Sequence, residues 1–408
     1  MKFFDILSIL ITVSAVFSYL NHRFLRVPTT IGVMAISLLG SLAVVAAGPL
    51  SLGLRQEALR LVQSIDFDDT LLHGMLSFLL FAGALHIDLE KLARQKRIIT
   101  FLATVGTVLA TLLNGLGTWF VTRWLGLPLP FLGCLLFGTL IAPTDPIAVL
   151  GILRKAGVPE SLETKICGES LFNDGVAVVL FTILLEMNRD PGGATAAAAL
   201  SLFAREALGG IVYGLVIGWI AYVMLKSIDD YHVEVLITLA LVSGGYALAD
   251  ALHISGPLAI VVAGLFIGNP GRMLAMSEST RRHLDTFWEL VDEVLNVVLF
   301  VLIGLEVLAL SWNRIHLAAS LMLIPVSLLS RLVSVSVPVA VLRPFRRFSP
   351  GVIRILTWGG LHGGISVAMA LSLPPGPVRD TLLTATYVGV VFSILVQGLT
   401  VEQLVRSV

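Results

Sequence analysis

Two short runs place ionisable groups where they are expensive, and both could exchange one small cation for another. The first reads Gly168-Glu169-Ser170-Leu171-Phe172-Asn173-Asp174-Gly175 and leads directly into the apolar Val176 to Phe181. Glu169 and Asn173 are four apart, as are Ser170 and Asp174, so on a helix each pair lies one above the other. A carboxyl buried in such a run either gives up its proton beside a cationic partner or keeps it. The second run is Ala142-Pro143-Thr144-Asp145-Pro146-Ile147-Ala148. Two prolines bracketing Thr-Asp cannot continue a helix, because each lacks an N–H and crowds the preceding turn. The freed carbonyls and the Thr144 hydroxyl are hard oxygen ligands, suited to a small monovalent cation. Asp145 is placed to cap a helix half restarting after it, where negative charge is favoured.

Two more features share this character. Trp358-Gly359-Gly360-Leu361-His362-Gly363-Gly364 puts four glycines around one histidine, which predicts a helix breach or a very close helix crossing. Arg331 lies deep in the apolar Ser330-Arg331-Leu332-Val333 run, where an unpaired charge costs about 2.5–3.5 kcal/mol and demands a partner.

The elements holding these residues must lie in lipid. Of 408 residues, 56% are hydrophobic and 13% charged, with mean hydropathy +0.93. Soluble domains carry about 25% charged residues. Half that leaves too little polar surface for a globule of this size. The formal net charge is zero, which gives no sign of a nucleic-acid partner. Cys134 and Cys167 lie in apolar runs and suggest neither a disulfide framework nor a metal site. Spans of about 20 apolar residues are expected at 3–20, 28–48, 70–88, 98–122, 130–153, 161–187, 202–226, 232–252, 255–270, 286–311, 316–342, 352–374 and 380–405. The first reads as a retained span, not a removable signal. A short surface helix is expected within 49–69, a loop from Asp190 to Ala199, and no regulatory tail after Val408.

With thirteen spans, Lys and Arg accumulate on one side, for example Arg23, Lys91, Arg97, Arg281, Arg343 and Arg354. Few, such as Arg123, Arg205 and Arg314, fall on the other. That bias places the N-terminus outside and the C-terminus in the cytoplasm. The interrupted fifth and twelfth spans are seven apart, so spans 1–6 and 8–13 form two halves of opposite orientation. Paired interruptions in two halves are a sequence pointer to a transport site. Span ten carries Glu289, Asp292, Glu293, Asn296 and Glu306, mostly near its ends, and Glu289 to Glu293 read either as an acidic funnel or as helix-end charges.

Together, Glu169-Ser170-Leu171-Phe172-Asn173-Asp174, Pro143-Thr144-Asp145-Pro146, the glycines at 359–364 and Phe300 to Glu306 resemble the cation:proton antiporter 1 family, the sodium/proton exchangers of the NhaP and NHE type. The resemblance spans nearly the whole chain. It implies an all-α polytopic membrane protein of about 13 transmembrane helices in the NhaA/NhaP-like antiporter fold. That fold has two inverted repeats of six helices and crossed discontinuous helices. It further implies a homodimer in the bacterial inner membrane. Helices 1–97 and 202–311 would form the dimerisation scaffold, and 98–187 and 316–408 an ion-translocating core that moves like an elevator. Asp174 would bind cation and proton alternately, with Ser170, Thr144, Asn173 and Asp145 around the cation and a structural ion pair between Glu169 and Arg331. No cofactor is expected, only transported Na+ or Li+ and H+. The chain departs from the family at Ala82, where an acid is common, and at His362, where arginine is common. A histidine there is expected to tune the pH profile. With Asn173 beside Asp174 instead of a second acid, electroneutral 1:1 exchange is expected. Rival readings are a K+/H+ antiporter of the same fold, a symporter, a cation channel and an intramembrane aspartyl protease. The protease lacks its Gly-x-Gly-Asp pattern here, and the channel lacks a repeated filter.

Overall fold

The structure is a computed structural model. It describes residues 3–47, 74–145, 158–189, 196–308, 313–345 and 348–407, with single residues at 53, 153 and 310. The expected surface helix within 49–69, the start of the third span, the continuation of the fifth past Asp145 and residues 190–195 of the expected loop lie outside the described residues, apart from those single positions.

Every extended element among the described residues is a helix. The helices are α1 (Phe3–Leu20), α2 (Thr29–Ala46), α3 (Leu76–Leu85), α4 (Leu89–Trp124), α5 (Phe131–Ile141), α6 (Glu160–Arg189) and α7 (Ala196–Lys226). They continue as α8 (Tyr231–Ala251), α9 (Gly256–Gly271), α10 (Glu278–Glu306), α11 (Arg314–Leu342), α12 (Val352–Trp358), α13 (Gly364–Leu371) and α14 (Pro377–Arg406). Each expected span contains helix. Among the described residues, eight helices are long and apolar enough to cross a membrane, with α3, α5 and α9 as shorter apolar helices.

Three boundaries differ from expectation for local reasons. α4 starts nine residues before 98, because Asp88 caps it: its Oδ1 accepts from Glu90 N at 2.8 Å and from Lys91 N at 3.2 Å. α10 starts at Glu278 behind a Ser277 cap, carrying its charged turns beyond the apolar run. α7 begins at Ala196, so the Ala-rich end of the expected loop is helix, in keeping with alanine's propensity.

The helices pack as two groups. α4 lies against α5, α6 and α11, α11 against α12 and α14, and α13 against α14. In the other group α9 packs on α3, α7 and α8, and α10 on α1, α2, α3 and α8. The groups meet where α7 and α9 touch α6 and where α10 touches α13. Gly175 and Gly364 mark two of these seams. A Cβ on either would fall within 2.5 Å of a leucine side chain, Leu258 of α9 or Leu299 of α10.

Candidate functional site

Spans five and twelve break and cross. α5 ends at Ile141, and Pro143 and Thr144 continue in non-helical backbone to Asp145. Between α12 and α13, Gly359 to Gly363 are likewise non-helical. Asp145 and Leu361 form an antiparallel bridge, with Asp145 N donating to Leu361 O at 2.6 Å. His362 completes the crossing: its Nδ1–H donates to the Pro143 carbonyl at 3.2 Å, and its backbone N–H donates to Ser393 Oγ at 2.9 Å. Gln397 Nε2 donates to the carbonyl of Trp358, the last residue of α12, at 3.0 Å. Helix ends leave backbone groups that must find partners in lipid, and these bonds supply several of them. The approach is close enough to require glycine. A Cβ on Gly363 would lie 2.6 Å from Asp145 Oδ2, and one on Gly360 would lie 2.6 Å from Arg331 Nε.

α6 runs beside this crossing and presents the Glu169–Asp174 face to it. Thr144 Oγ1 lies 3.0 Å from Ser170 Oγ and accepts from Asn173 Nδ2 at 2.9 Å, while Thr144 N donates to Asn173 Oδ1 at 3.4 Å. The Asn173 amide thus grips both the hydroxyl and the backbone of Thr144 in the non-helical segment. Asp174 is 7% exposed. No described residue hydrogen-bonds to its carboxyl, and the charge acting on it is that of Asp145. One turn back, Glu169 Oε1 accepts from Arg331 Nη1 at 2.6 Å, with the side chains 2% and 11% exposed. Arg331 Nη2 also donates to the Leu356 carbonyl of α12 at 3.4 Å.

The structure therefore brings together Thr144, Asp145, Ser170, Asn173, Asp174 and His362, with Glu169 and Arg331 flanking them. The α10 acids separate: Glu289 and Glu293 are exposed, whereas Asp292 is half-buried, accepts from Asn296 Nδ2 at 3.1 Å and lies within electrostatic reach of Asp145. Ala82 is far from a ligand role, since it packs in an apolar cluster with Tyr246, Ile260 and Trp288. Sequence reading missed Ser393 and Gln397. The available signal was two polar residues four apart inside an apolar span, both on one helix face. A widened π turn over Ser393–Gln397 accompanies them.

A helix that ends in non-helical backbone and crosses the interruption of a second one beside a buried acid, in an all-α membrane protein, fits a secondary-transporter architecture. The transmembrane sodium/hydrogen exchanger model matches residues 11–407. The chain belongs to the sodium/hydrogen exchanger family. It is 50% identical to the Na(+)/H(+) antiporter NhaP of Pseudomonas aeruginosa, over 99% of this chain and 96% of that one. It is 36% identical to the Na(+)/H(+) antiporter NhaH of Halobacillus dabanensis, over 85% of each. Among solved structures, a sodium proton antiporter of Methanocaldococcus jannaschii superposes with TM-score 0.79 over 99% of both chains at 18% identity, which establishes a shared fold.

Proposed function

We propose that this chain exchanges Na+ or Li+ for H+ across the membrane, 1:1 and without net charge movement, with Asp174 as the shared site. One contrast on α6 carries the reading. Glu169 has its counter-charge built in as Arg331, while Asp174 has none among the described residues. A buried carboxylate without an internal counter-charge takes one from outside, as a proton or a cation.

The neighbours fit the cation. Ser170 lies one turn before Asp174 on the same face, and Thr144 contacts Ser170, so two hydroxyl oxygens lie on the α6 face that carries the carboxylate. Asn173 positions Thr144 by occupying one of its lone pairs and its backbone N–H. Cation and proton compete for one carboxylate, so binding one displaces the other. The loaded or protonated site is neutral and crosses, whereas the bare charge is held back by its desolvation cost. Asn173 adds no second acid, so one charge is handled in each direction.

The helix group α4–α6 with α11–α14 is the moving core in this reading, and α1–α3 with α7–α10 the scaffold and dimer surface. The protein is a homodimer of the bacterial inner membrane, with its N-terminus outside and its C-terminus in the cytoplasm. The test is dye-reported pH change in proteoliposomes on adding Na+, Li+ or K+. Sodium-driven proton movement is expected for the wild type and absent in Asp174→Asn. Normal exchange by Asp174→Asn removes that residue from the mechanism, and a sodium-driven membrane potential contradicts electroneutrality.

A further inference from the structure

Glu306 closes α10 and has no part in the exchange scheme. Its side chain is 4% exposed, and its Oε2 is buried without a hydrogen-bond partner. Tyr387 of α14 is 2% exposed, and its hydroxyl is likewise buried without a partner. Tyr387 belongs to the same apolar cluster as Ile303 of α10 and Val307, the residue after Glu306. The Glu306 carboxyl lies within electrostatic reach of Tyr387, and Arg379 within reach of Glu306. Arg379 and Tyr387 are eight apart on α14 and so share a face. Arg379 forms no ion pair with Glu306. It donates Nη2 to the Leu371 carbonyl that ends α13, at 3.0 Å, and its Nε is buried unpaired.

A carboxylate oxygen and a phenol hydroxyl are thus buried without partners, with a partly buried guanidinium nearby whose Nε is also unpaired. Buried polar groups are almost always paired, and leaving them unpaired costs stability. Complementary groups that miss each other across two separately packed helix groups point to a second arrangement in which they meet.

We propose that Glu306 and Tyr387 hydrogen-bond to each other in the opposite position of the core, so that this pair fixes one end of the transport stroke. The proposal rests on the reading of α10 as scaffold and α14 as moving core. A shift of α14 relative to α10, whose Ile303 shares an apolar cluster with Tyr387, brings the Tyr387 hydroxyl to the Glu306 carboxylate, with Arg379 on α14 as counter-charge. Both are positioning residues and touch no transported ion.

Tyr387→Phe is the discriminating variant, because it deletes only a hydroxyl that has no partner in the arrangement seen here. Its thermal unfolding in detergent is expected to match the wild type or exceed it. In proteoliposomes of sorted orientation, the apparent Na+ affinities from the two faces are expected to move in opposite directions by about 2- to 10-fold, the worth of one hydrogen bond. Glu306→Ala is expected to do the same, and the double variant no more than either single change. Hydrogen–deuterium exchange of α14 amides reads the same population shift without transport, and so separates failure of this proposal from failure of the exchange reading. Unchanged affinities and amide exchange in Tyr387→Phe overturn the proposal. So do shifts in the same direction from both faces, or effects that multiply in the double variant.

Discussion

Consider replacing Glu169 by leucine. Its Oε1 lies 2.6 Å from Arg331 Nη1, in a pair that is nearly dry. At an effective dielectric near 20, such a contact gives about 6 kcal/mol of Coulomb attraction. Removing both ions from water costs several kcal/mol each, so the intact pair is close to neutral overall. Cutting it is not neutral, because the stranded guanidinium keeps, among the described residues, only the 3.4 Å bond to the Leu356 carbonyl. The expected loss is about 3–5 kcal/mol, a large share of the 5–15 kcal/mol typical of a folded domain. The opposite cut, Arg331→Met, strands a carboxyl that escapes by taking up a proton, so it should cost less. The double variant Glu169→Leu with Arg331→Met removes both charges and should recover wild-type stability or exceed it. Unfolding titrations in mixed micelles across this cycle give all three values. A loss below about 1 kcal/mol for Glu169→Leu refutes the reasoning, and so does a larger loss for Arg331→Met than for Glu169→Leu.

Gly363→Ala should abolish exchange and lower the yield of folded protein, because its Cβ would fall 2.6 Å from Asp145 Oδ2; size-exclusion profiles and vesicle assays check both. Asn173→Ala should raise the apparent KM for Na+ by about tenfold, as loss of a buried hydrogen bond worth about 1–2 kcal/mol implies, with kcat read separately in the same assay. His362→Ala should destabilise by about 1–3 kcal/mol through the orphaned Pro143 carbonyl, while the backbone bond to Ser393 survives; micelle unfolding measures it. At the α8 cap, the His232 backbone N–H donates to Asp230 and holds its carboxyl below the usual carboxylate range. That contribution is present above the ordinary carboxylate pKa and lost as pH falls through the lowered value. Melting curves below about pH 4 should therefore be steeper for the wild type than for Asp230→Asn, which caps without titrating.

Much of the site was legible because lipid makes ionisable residues conspicuous. Asp174, Arg331 and the proline-bracketed Thr144-Asp145 stand out against apolar runs, and periodicity alone places Ser170 and Asp174 on one face. The pairing of Glu169 with Arg331 came from family resemblance, since no spacing rule links residues on α6 and α11. The Asp145–Leu361 bridge was not legible, because it is a backbone contact between distant segments. His362 stood out as a pH element, and the contact of its side chain across the crossing to Pro143 was not legible. Ser393 and Gln397 were overlooked because two small polar groups hardly lower the hydropathy of their span. Helix starts moved where caps, not apolar content, set the boundary, as at Asp88 and Ser277.

The two interruptions depend on each other. Prolines on both sides of Thr144-Asp145 free backbone groups that lipid cannot satisfy. Leu361 provides the carbonyl that Asp145 N needs, and the Pro143 carbonyl receives the His362 side chain. Either break alone would leave these groups unpaired at membrane depth. Their closeness needs glycine on the second segment, because a Cβ at 360 would strike Arg331 and one at 363 would strike Asp145. The same glycine segment therefore constrains both the Arg331 that balances Glu169 and the Asp145 whose charge acts on Asp174. A buried ion pair and the buried acid proposed as the exchange site, both on α6, are thus joined through a single crossing. A substitution anywhere in 359–364 should accordingly disturb fold and ion site together, whereas changes at Ser170 or Asp174 should act on the ion site alone.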